Sequence, residues 1–247
     1  MQFYLAEIGA RLSDVFGADN ILWVEGQTEE QCFPLILRGI AGRNLMGTAI
    51  LGIRETGDFE RRDAKRVIEL YRRLTSSSTL LPPAVAFVLD KECRPDQEMA
   101  DLQKMSSGLA TFLPRRMYEN YLLNPSAIAA VVNGIEGFRP QAVSAQEVGE
   151  LVDAKRQNLR LYCPGATQIP IDWIVAIDGT KILREIFQEL SEARVAFAKP
   201  KHSVAVTEWL IKNDPEQLRE IANMLSQLLN SKDTDMPQGQ GASGTPT

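Results

Sequence analysis

Short apolar runs and longer amphipathic stretches alternate through the first half of the chain. The apolar runs predict four strands, at 21–24 (ILWV), 48–53 (TAILGI), 84–90 (AVAFVLD) and 109–113 (LATFL). The stretches between them have helical spacing at 28–42, 57–74 and 95–106. Thr28 is the expected N-cap of the first helix, and Pro34 is an awkward residue inside it. Strands that alternate with helices predict right-handed βαβ units and a parallel sheet.

The second half has helical spacing almost throughout. Its predicted helices lie at 124–132, 144–162, 178–192, 202–213 and 214–229. Residues 2–16 also have helical spacing, and the last stretch is rich in Gly, Pro, Ser and Thr, which favours disorder. The pattern therefore predicts an α/β core followed by a helical half. The predicted boundaries are a helix at 1–17, the α/β core at 18–125, a helical subdomain at 126–229 and a disordered tail at 230–247.

Composition narrows the class of protein. The 247 residues are 44% hydrophobic and 24% charged, with a formal net charge of −5. That charge excludes a generic polyanion binder, so contact with nucleic acid would need a local basic patch or metal ions. The apolar runs are too short to span a bilayer, and the N-terminus lacks the features of a signal peptide, so we expect no membrane contact.

The three cysteines are well separated and form no CxxC pair. This spacing predicts neither a zinc site nor a disulfide framework and favours a reduced, cytoplasmic setting. Cys32 and Cys163 are expected to act as small buried hydrophobes. The single histidine, His202, excludes a histidine-rich metal site and is expected to be a surface or capping residue.

Carboxylates follow two of the predicted strands. Glu25 ends the first strand, Asp90 ends the third with Glu92 two residues later, and Glu29 falls in the first turn of the intervening helix. Ligands of parallel sheets bind beside the carboxyl ends of the strands, so the four acids are expected at one edge. Crowded carboxylates repel unless a cation is present, and hard oxygen ligands suit Mg²⁺ or Mn²⁺. The alternative is that acids are common where strands end at the surface, and that Glu29 favours a helix N-terminus.

Several motifs together resemble a known family. VEG at 24–26 with Glu29, followed by LDKE at 89–92, resembles the Toprim domain. LPRRMYENYLLNP at 113–125 and DGTKILREIFQEL at 178–190 look like the C-terminal region of OLD-family (overcoming lysogenization defect) ATP-dependent endonucleases. The resemblance implies an α/β fold with a Toprim-like parallel sheet flanked by helices and a helical C-terminal half. It also implies DNA phosphodiester cleavage that uses one or two Mg²⁺ or Mn²⁺ ions.

The resemblance assigns roles to individual residues. It implies that the metal ligands are Glu25, Glu29, Asp90, Glu92 and Glu119 and that Glu25 and Asp90 are also catalytic. Lys181 matches a lysine that related nucleases use near the scissile phosphate. The family's Asp-x-Asp motif is DKE here, so its second acid, Glu92, is one methylene longer. That departure leaves open a catalytically degenerate Toprim module that docks DNA or assists assembly.

The resemblance also implies partners. The family joins this region to an ABC-type ATPase domain, and the sequence contains no GxxxxGK[ST] motif. We therefore expect an ATPase domain in the same full-length chain, with 2–16 as the linker helix. A homodimer and a role in phage defence are compatible with the family. Topoisomerase chemistry is disfavoured, because Tyr118 and Tyr121 lack the context of a nucleophilic tyrosine.

Basic residues near these motifs have two interpretations each. Arg115 and Arg116 lie between the fourth strand and Glu119, where they would bind DNA phosphate or neutralise the acids. Lys199 and Lys201, expected in a loop, would meet the DNA backbone or remain solvated.

Overall fold

A computed structural model of the chain describes residues 18–53 and 84–233, together with Lys65, Ile68, Glu69 and Arg72, which are helical. Three expected features lie outside the described residues: the helix at 2–16, most of the helix at 57–74 and the end of the tail.

A parallel sheet forms the centre of the described structure. Its strands are β1 (Asn20–Val24), β2 (Thr48–Gly52), β3 (Ala84–Leu89) and β4 (Ala110–Phe112), in the order β2-β1-β3-β4. Val24 pairs with Gly52 on one side and Val88 on the other. The carboxyl ends of β1 and β3 are therefore neighbours, and the predicted strands and their parallel arrangement are confirmed.

Helices flank the sheet and make up the second half. They are α1 (Gln27–Gly39), α2 (Asp96–Met105), α3 (Pro125–Asn133), α4 (Ala145–Lys155), α5 (Trp173–Ala176), α6 (Gly179–Leu190), α7 (Lys199–Asn213) and α8 (Arg219–Asp233). Short 3₁₀ helices lie at Tyr118–Leu122, Leu159–Leu161 and Pro215–Leu218. The α/β class with a helical C-terminal half is therefore confirmed.

Several boundaries differ from the sequence prediction. The helix expected at 144–162 ends at Lys155, and Asn158 accepts a hydrogen bond from the Arg160 N–H to start a 3₁₀ turn instead. Helix α7 begins at Lys199 rather than at residue 202, because Pro200 lies in the first turn, where no N–H is required. The expected Thr28 cap was wrong: α1 begins at Gln27 with Gly26 as its N-cap, and Thr28 is buried in the first turn.

The two faces of the sheet bury different cores. Leu22, Val24 and Val88 pack towards α1 and the helical half, whereas Trp23 and Phe87 face the other side. The first core continues without a break into α3, α6, α7 and α8. Residues on both sides of the boundary predicted at 125/126 therefore share one core. The division into two domains at this point stays a prediction. Among the described residues, no helix combines the length and apolar character needed to cross a bilayer.

The cysteines and the histidine differ in part from the sequence prediction. Cys93 and Cys163 form a disulfide, with their Cα atoms 5.5 Å apart, although the spacing predicted none. The fold brings together two loops that are 70 positions apart, which local spacing does not reveal. Cys32 is buried as expected. His202 is buried rather than at the surface, and its Nδ1 accepts the Ala198 N–H, so the expected capping role is confirmed.

Candidate metal centre

Three buried carboxylates converge at the carboxyl edge of the sheet. Glu29, Asp90 and Glu119 each place a carboxylate oxygen within 4.8 Å of the other two. Asp90 follows β3 directly, Glu29 lies in the first turn of α1, and Glu119 lies in the 3₁₀ helix Tyr118–Leu122 that follows β4. We call these residues the acidic triad. Its oxygen ligands and spacing fit a hard divalent cation such as Mg²⁺ or Mn²⁺.

The triad is electrostatically strained without a cation. Burial raises the pKa of Asp90 well above its ordinary value, and the charges of Glu29, Glu25 and Glu119 raise it further. The carboxylate of Asp90 accepts the Tyr118 N–H at 3.3 Å. A bound cation would offset this repulsion, so the geometry favours one.

Lys199 supplies a positive charge at the triad. As the first residue of α7, it places its Nζ 3.1 Å from Glu119 Oε1. Burial of Lys199 favours a lower pKa, but the charges of Glu119, Glu29 and Asp90 outweigh this effect and raise the pKa. Sequence reasoning placed Lys199 in a loop with Lys201. The structure puts both in the first turn of α7, with Lys199 on the acids and Lys201 exposed.

Glu25 lies beside the triad and supports Asp90. Its Oε2 accepts the Asp90 N–H at 2.7 Å, which confirms that both residues share one sheet edge. Its Oε1 is 3.6 Å from the Arg94 guanidinium. Arg94 also donates to the Asp90 carbonyl and pairs with Glu98. Glu25 therefore fixes the backbone at Asp90, and Arg94 offsets its charge.

Glu92 lies at the rim, outside the triad. Its backbone is left-handed, with φ of 49°, and its N–H donates to the Arg116 carbonyl at 2.8 Å. Burial raises the pKa of Glu92, although the Arg116 guanidinium, 3.8 Å away, opposes the shift. The longer acid of the DKE motif is thus paired with a buried arginine.

The adjacent residues Arg115 and Arg116 have different partners. Arg116 is buried, lies 3.6 Å from Asp178, and donates to the carbonyls of Leu161 and Ala176. Arg115 instead pairs with Glu220 at 3.1 Å and lies over the Tyr121 ring. Arg116 therefore neutralises acids beside the triad, whereas Arg115 links the 3₁₀ segment to α8.

Lys181 lies further out, at the start of α6. Asp178 caps this helix by accepting the Lys181 N–H at 2.9 Å. The exposed ammonium group of Lys181 lies 3.2 Å from Asp178 Oδ2. Through Asp178 and Arg116, Lys181 is connected to Glu92, and among the described residues no hydrogen bond or ion pair joins it to the triad.

Gly179 allows the helical half to approach the triad. A Cβ at this position would lie 2.7 Å from Asn120 Oδ1 and 2.8 Å from the backbone carbon of Glu119. The Asn120 amide meanwhile donates to the carbonyls of Ile174 and Ile177. Sequence reasoning missed Gly179, yet the glycine next to the cap in DGTK is the signal that could have found it.

The chain is similar to the C-terminal region of the Burkholderia pseudomallei OLD protein, at 14% identity and a TM-score of 0.44; the match covers 84% of this chain and 100% of that one. This is the family that the sequence motifs resemble. No protein-family model and no curated protein matches the chain.

Replacing Asp90 with asparagine should change how stability depends on pH. The pKa of Asp90 is higher in the folded state, so the unfolded chain loses this proton first and stability falls as pH rises above the ordinary carboxyl range. In EDTA, Asp90→Asn should melt at or above the wild-type temperature. The difference in melting temperature should grow as the pH rises above the ordinary carboxyl range, measured by thermal denaturation.

The control is Asp101→Asn, which alters an exposed acid on α2 and should leave the pH dependence unchanged. A clear loss of metal-free stability in Asp90→Asn at every pH would instead make Asp90 a structural residue.

Adding one methyl group at Gly179 should destabilise the protein. Gly179→Ala forces the side chain against backbone atoms and should cost about 1–3 kcal/mol in the free energy of unfolding. Gly149→Ala is the matched control. A Cβ on Gly149, which lies in α4, would have its nearest described neighbour at 3.8 Å, a ring carbon of Pro125. That change should stabilise the protein by about 0.5–1 kcal/mol. Equal effects in urea denaturation would contradict the close approach.

Proposed function

We propose that the chain is a divalent-metal-dependent DNA endonuclease module that nicks or cleaves phosphodiester bonds. The observation that carries the proposal is the acidic triad, in which three buried carboxylates from separate elements meet at a sheet edge. Carboxylates are costly to bury without a cation, so this arrangement is unusual for a purely structural purpose. The motif resemblance supports DNA as the substrate.

Some of the acidic side chains would bind the ion, and others would keep those ligands in position. Glu29, Asp90 and Glu119 would hold a divalent ion, and Glu25 and Glu92 would contribute to a second. A bound ion would polarise the phosphate, lower the pKa of a bound water and stabilise the leaving 3′ oxygen. Glu25 would keep Asp90 in place through the Asp90 N–H.

Lys199 and Lys181 are both candidates for contact with the phosphate. The ammonium of Lys199 is already at the triad, where it would stabilise negative charge that develops on a phosphoryl oxygen. Lys181 is more exposed and would approach from the α6 side, as the motif resemblance implies. Arg115 and Lys201 remain candidates for DNA contact, whereas Arg116 is buried and pairs with Asp178 and Glu92. We further propose an ATPase domain in the same full-length chain.

A second candidate is a catalytically silent docking or assembly module. The ion pair between Lys199 and Glu119 favours it, because the protein supplies its own cation at the triad. The glutamate at position 92 is consistent with the same idea. A silent module would bind DNA without cleaving it and would show no specific affinity for Mn²⁺.

The deciding experiment combines calorimetry with a plasmid assay. Purified protein is incubated with supercoiled plasmid and Mg²⁺, Mn²⁺ or EDTA, and Mn²⁺ binding is measured separately. An active nuclease nicks only with metal, and Glu119→Gln abolishes both nicking and Mn²⁺ binding. Metal binding without nicking by the wild type would reject the nuclease, and absence of both would favour the silent module.

The two lysines should differ in their effect on metal binding. Lys181→Ala should lower the cleavage rate by about 10²-fold with Mn²⁺ affinity unchanged, because Lys181 contacts no triad residue. Lys199→Ala should lower cleavage by a similar factor of about 10², but Mn²⁺ should bind more tightly once the competing ammonium is gone.

The control for both is Lys212→Ala, an exposed lysine at the far end of α7. It should leave cleavage and Mn²⁺ affinity at wild-type values. Cleavage at the wild-type rate by either active-site variant would remove that lysine from the site.

A further inference from the structure

A disulfide joins the two loops that border the candidate metal centre. Cys93 lies in the loop after β3, directly between Glu92 and Arg94. Cys163 follows the 3₁₀ helix Leu159–Leu161, on the side of the helical half. The bond therefore ties the segment that carries Asp90 to a segment 70 positions away.

Each loop also makes polar contacts with the surroundings of the triad. On the Cys93 side, Arg94 contacts Glu25 and the Asp90 carbonyl, and the Glu92 N–H donates to the Arg116 carbonyl. On the Cys163 side, the Leu161 carbonyl accepts from the Arg116 guanidinium at 3.2 Å and from the Asp178 N–H at 2.7 Å. Both loops thus converge on Arg116, and the disulfide completes a ring of contacts around it.

The bond is placed where a reductant can reach it. Cys93 is exposed and Cys163 is half-buried. Cys32 is the remaining cysteine; it is fully buried, and burial raises its thiol pKa to about 12. An unreactive, inaccessible thiol cannot exchange readily with the bridge, so the Cys93–Cys163 pair responds to external thiols alone.

We propose that the Cys93–Cys163 disulfide is a redox-sensitive brace for the metal centre, an inference that rests on the proposed metal binding. A dithiol reductant transfers two electrons and two protons to the bridge. The S–S bond breaks, two cysteine thiols form, and the reductant becomes a disulfide. Only noncovalent contacts then hold residues 91–94 against the segment around Cys163, so Asp90 and its supporting partners are less preorganised to bind a divalent ion.

The redox state is tested first by counting thiols. Protein purified without reductant and unfolded in denaturant should expose one reactive thiol, from Cys32, and all three after treatment with dithiothreitol. Three thiols before treatment would overturn the proposal. The reduced protein should melt lower by about 5 °C or more, because a bridge that closes a long loop usually stabilises the folded state.

The link to the metal centre is tested by calorimetry with Mn²⁺ in EDTA-free buffer. After removal of dithiothreitol under anoxic conditions, reduced protein should bind Mn²⁺ about tenfold more weakly than oxidised protein. Cys93→Ser and Cys163→Ser should each behave like reduced protein and ignore dithiothreitol. The control Cys32→Ala should keep the full response.

The outcomes separate this inference from the proposed function. Equal Mn²⁺ affinity in both redox states would overturn the brace and leave the proposed metal centre intact. Absence of Mn²⁺ binding in both states would overturn both, although the thiol count and melting temperature would still report the bridge. Mn²⁺ binding that responds to reduction in a protein that never nicks plasmid would support the brace and reject the nuclease.

Discussion

Repulsion among the buried carboxylates of the acidic triad is the constraint around which the site is arranged. Glu29, Asp90 and Glu119 converge in a region that solvent cannot screen, which is why burial and neighbouring charge both raise the pKa of Asp90. The chain positions cations around this charge at two distances. Lys199 contacts the triad itself, whereas Arg94 and Arg116 pair with Glu25 and Glu92 beside it.

The helical half contributes charged residues to the site. Lys199 comes from α7, and Asp178, which pairs with Arg116, caps α6. The close contact at Gly179 brings α6 against the backbone of Glu119. Part of the charge compensation and of the steric fit therefore comes from the helical half, through Lys199, Asp178 and Gly179, which lie far along the chain from Glu29 and Asp90.

The sequence predicted the parts of the site that depend on local pattern. An apolar run that ends in an acid marks the end of a buried strand, so Glu25 and Asp90 could be placed at one edge, where the Asp90 N–H meets Glu25. Glu119 required the motif resemblance, since nothing in its local spacing distinguishes it. Lys199 was expected in a loop because the predicted helix began only at residue 202. The helix instead begins at Lys199, with Pro200 in its first turn, where proline is well tolerated.

The disulfide could not have been predicted from spacing, because its loops are 70 positions apart and meet only after the sheet and the helical half have packed. That packing passes through the 3₁₀ helix Tyr118–Leu122. The Tyr118 N–H donates to Asp90, and its hydroxyl lies 2.7 Å from Thr207 Oγ1 on α7. The next residue, Glu119, pairs with Lys199, the first residue of the same helix. Two consecutive residues thus join the sheet edge to α7 by hydrogen bonds and by charge. A fragment ending at residue 125 would lose both contacts with α7, so the metal centre and the shared core form one structural unit.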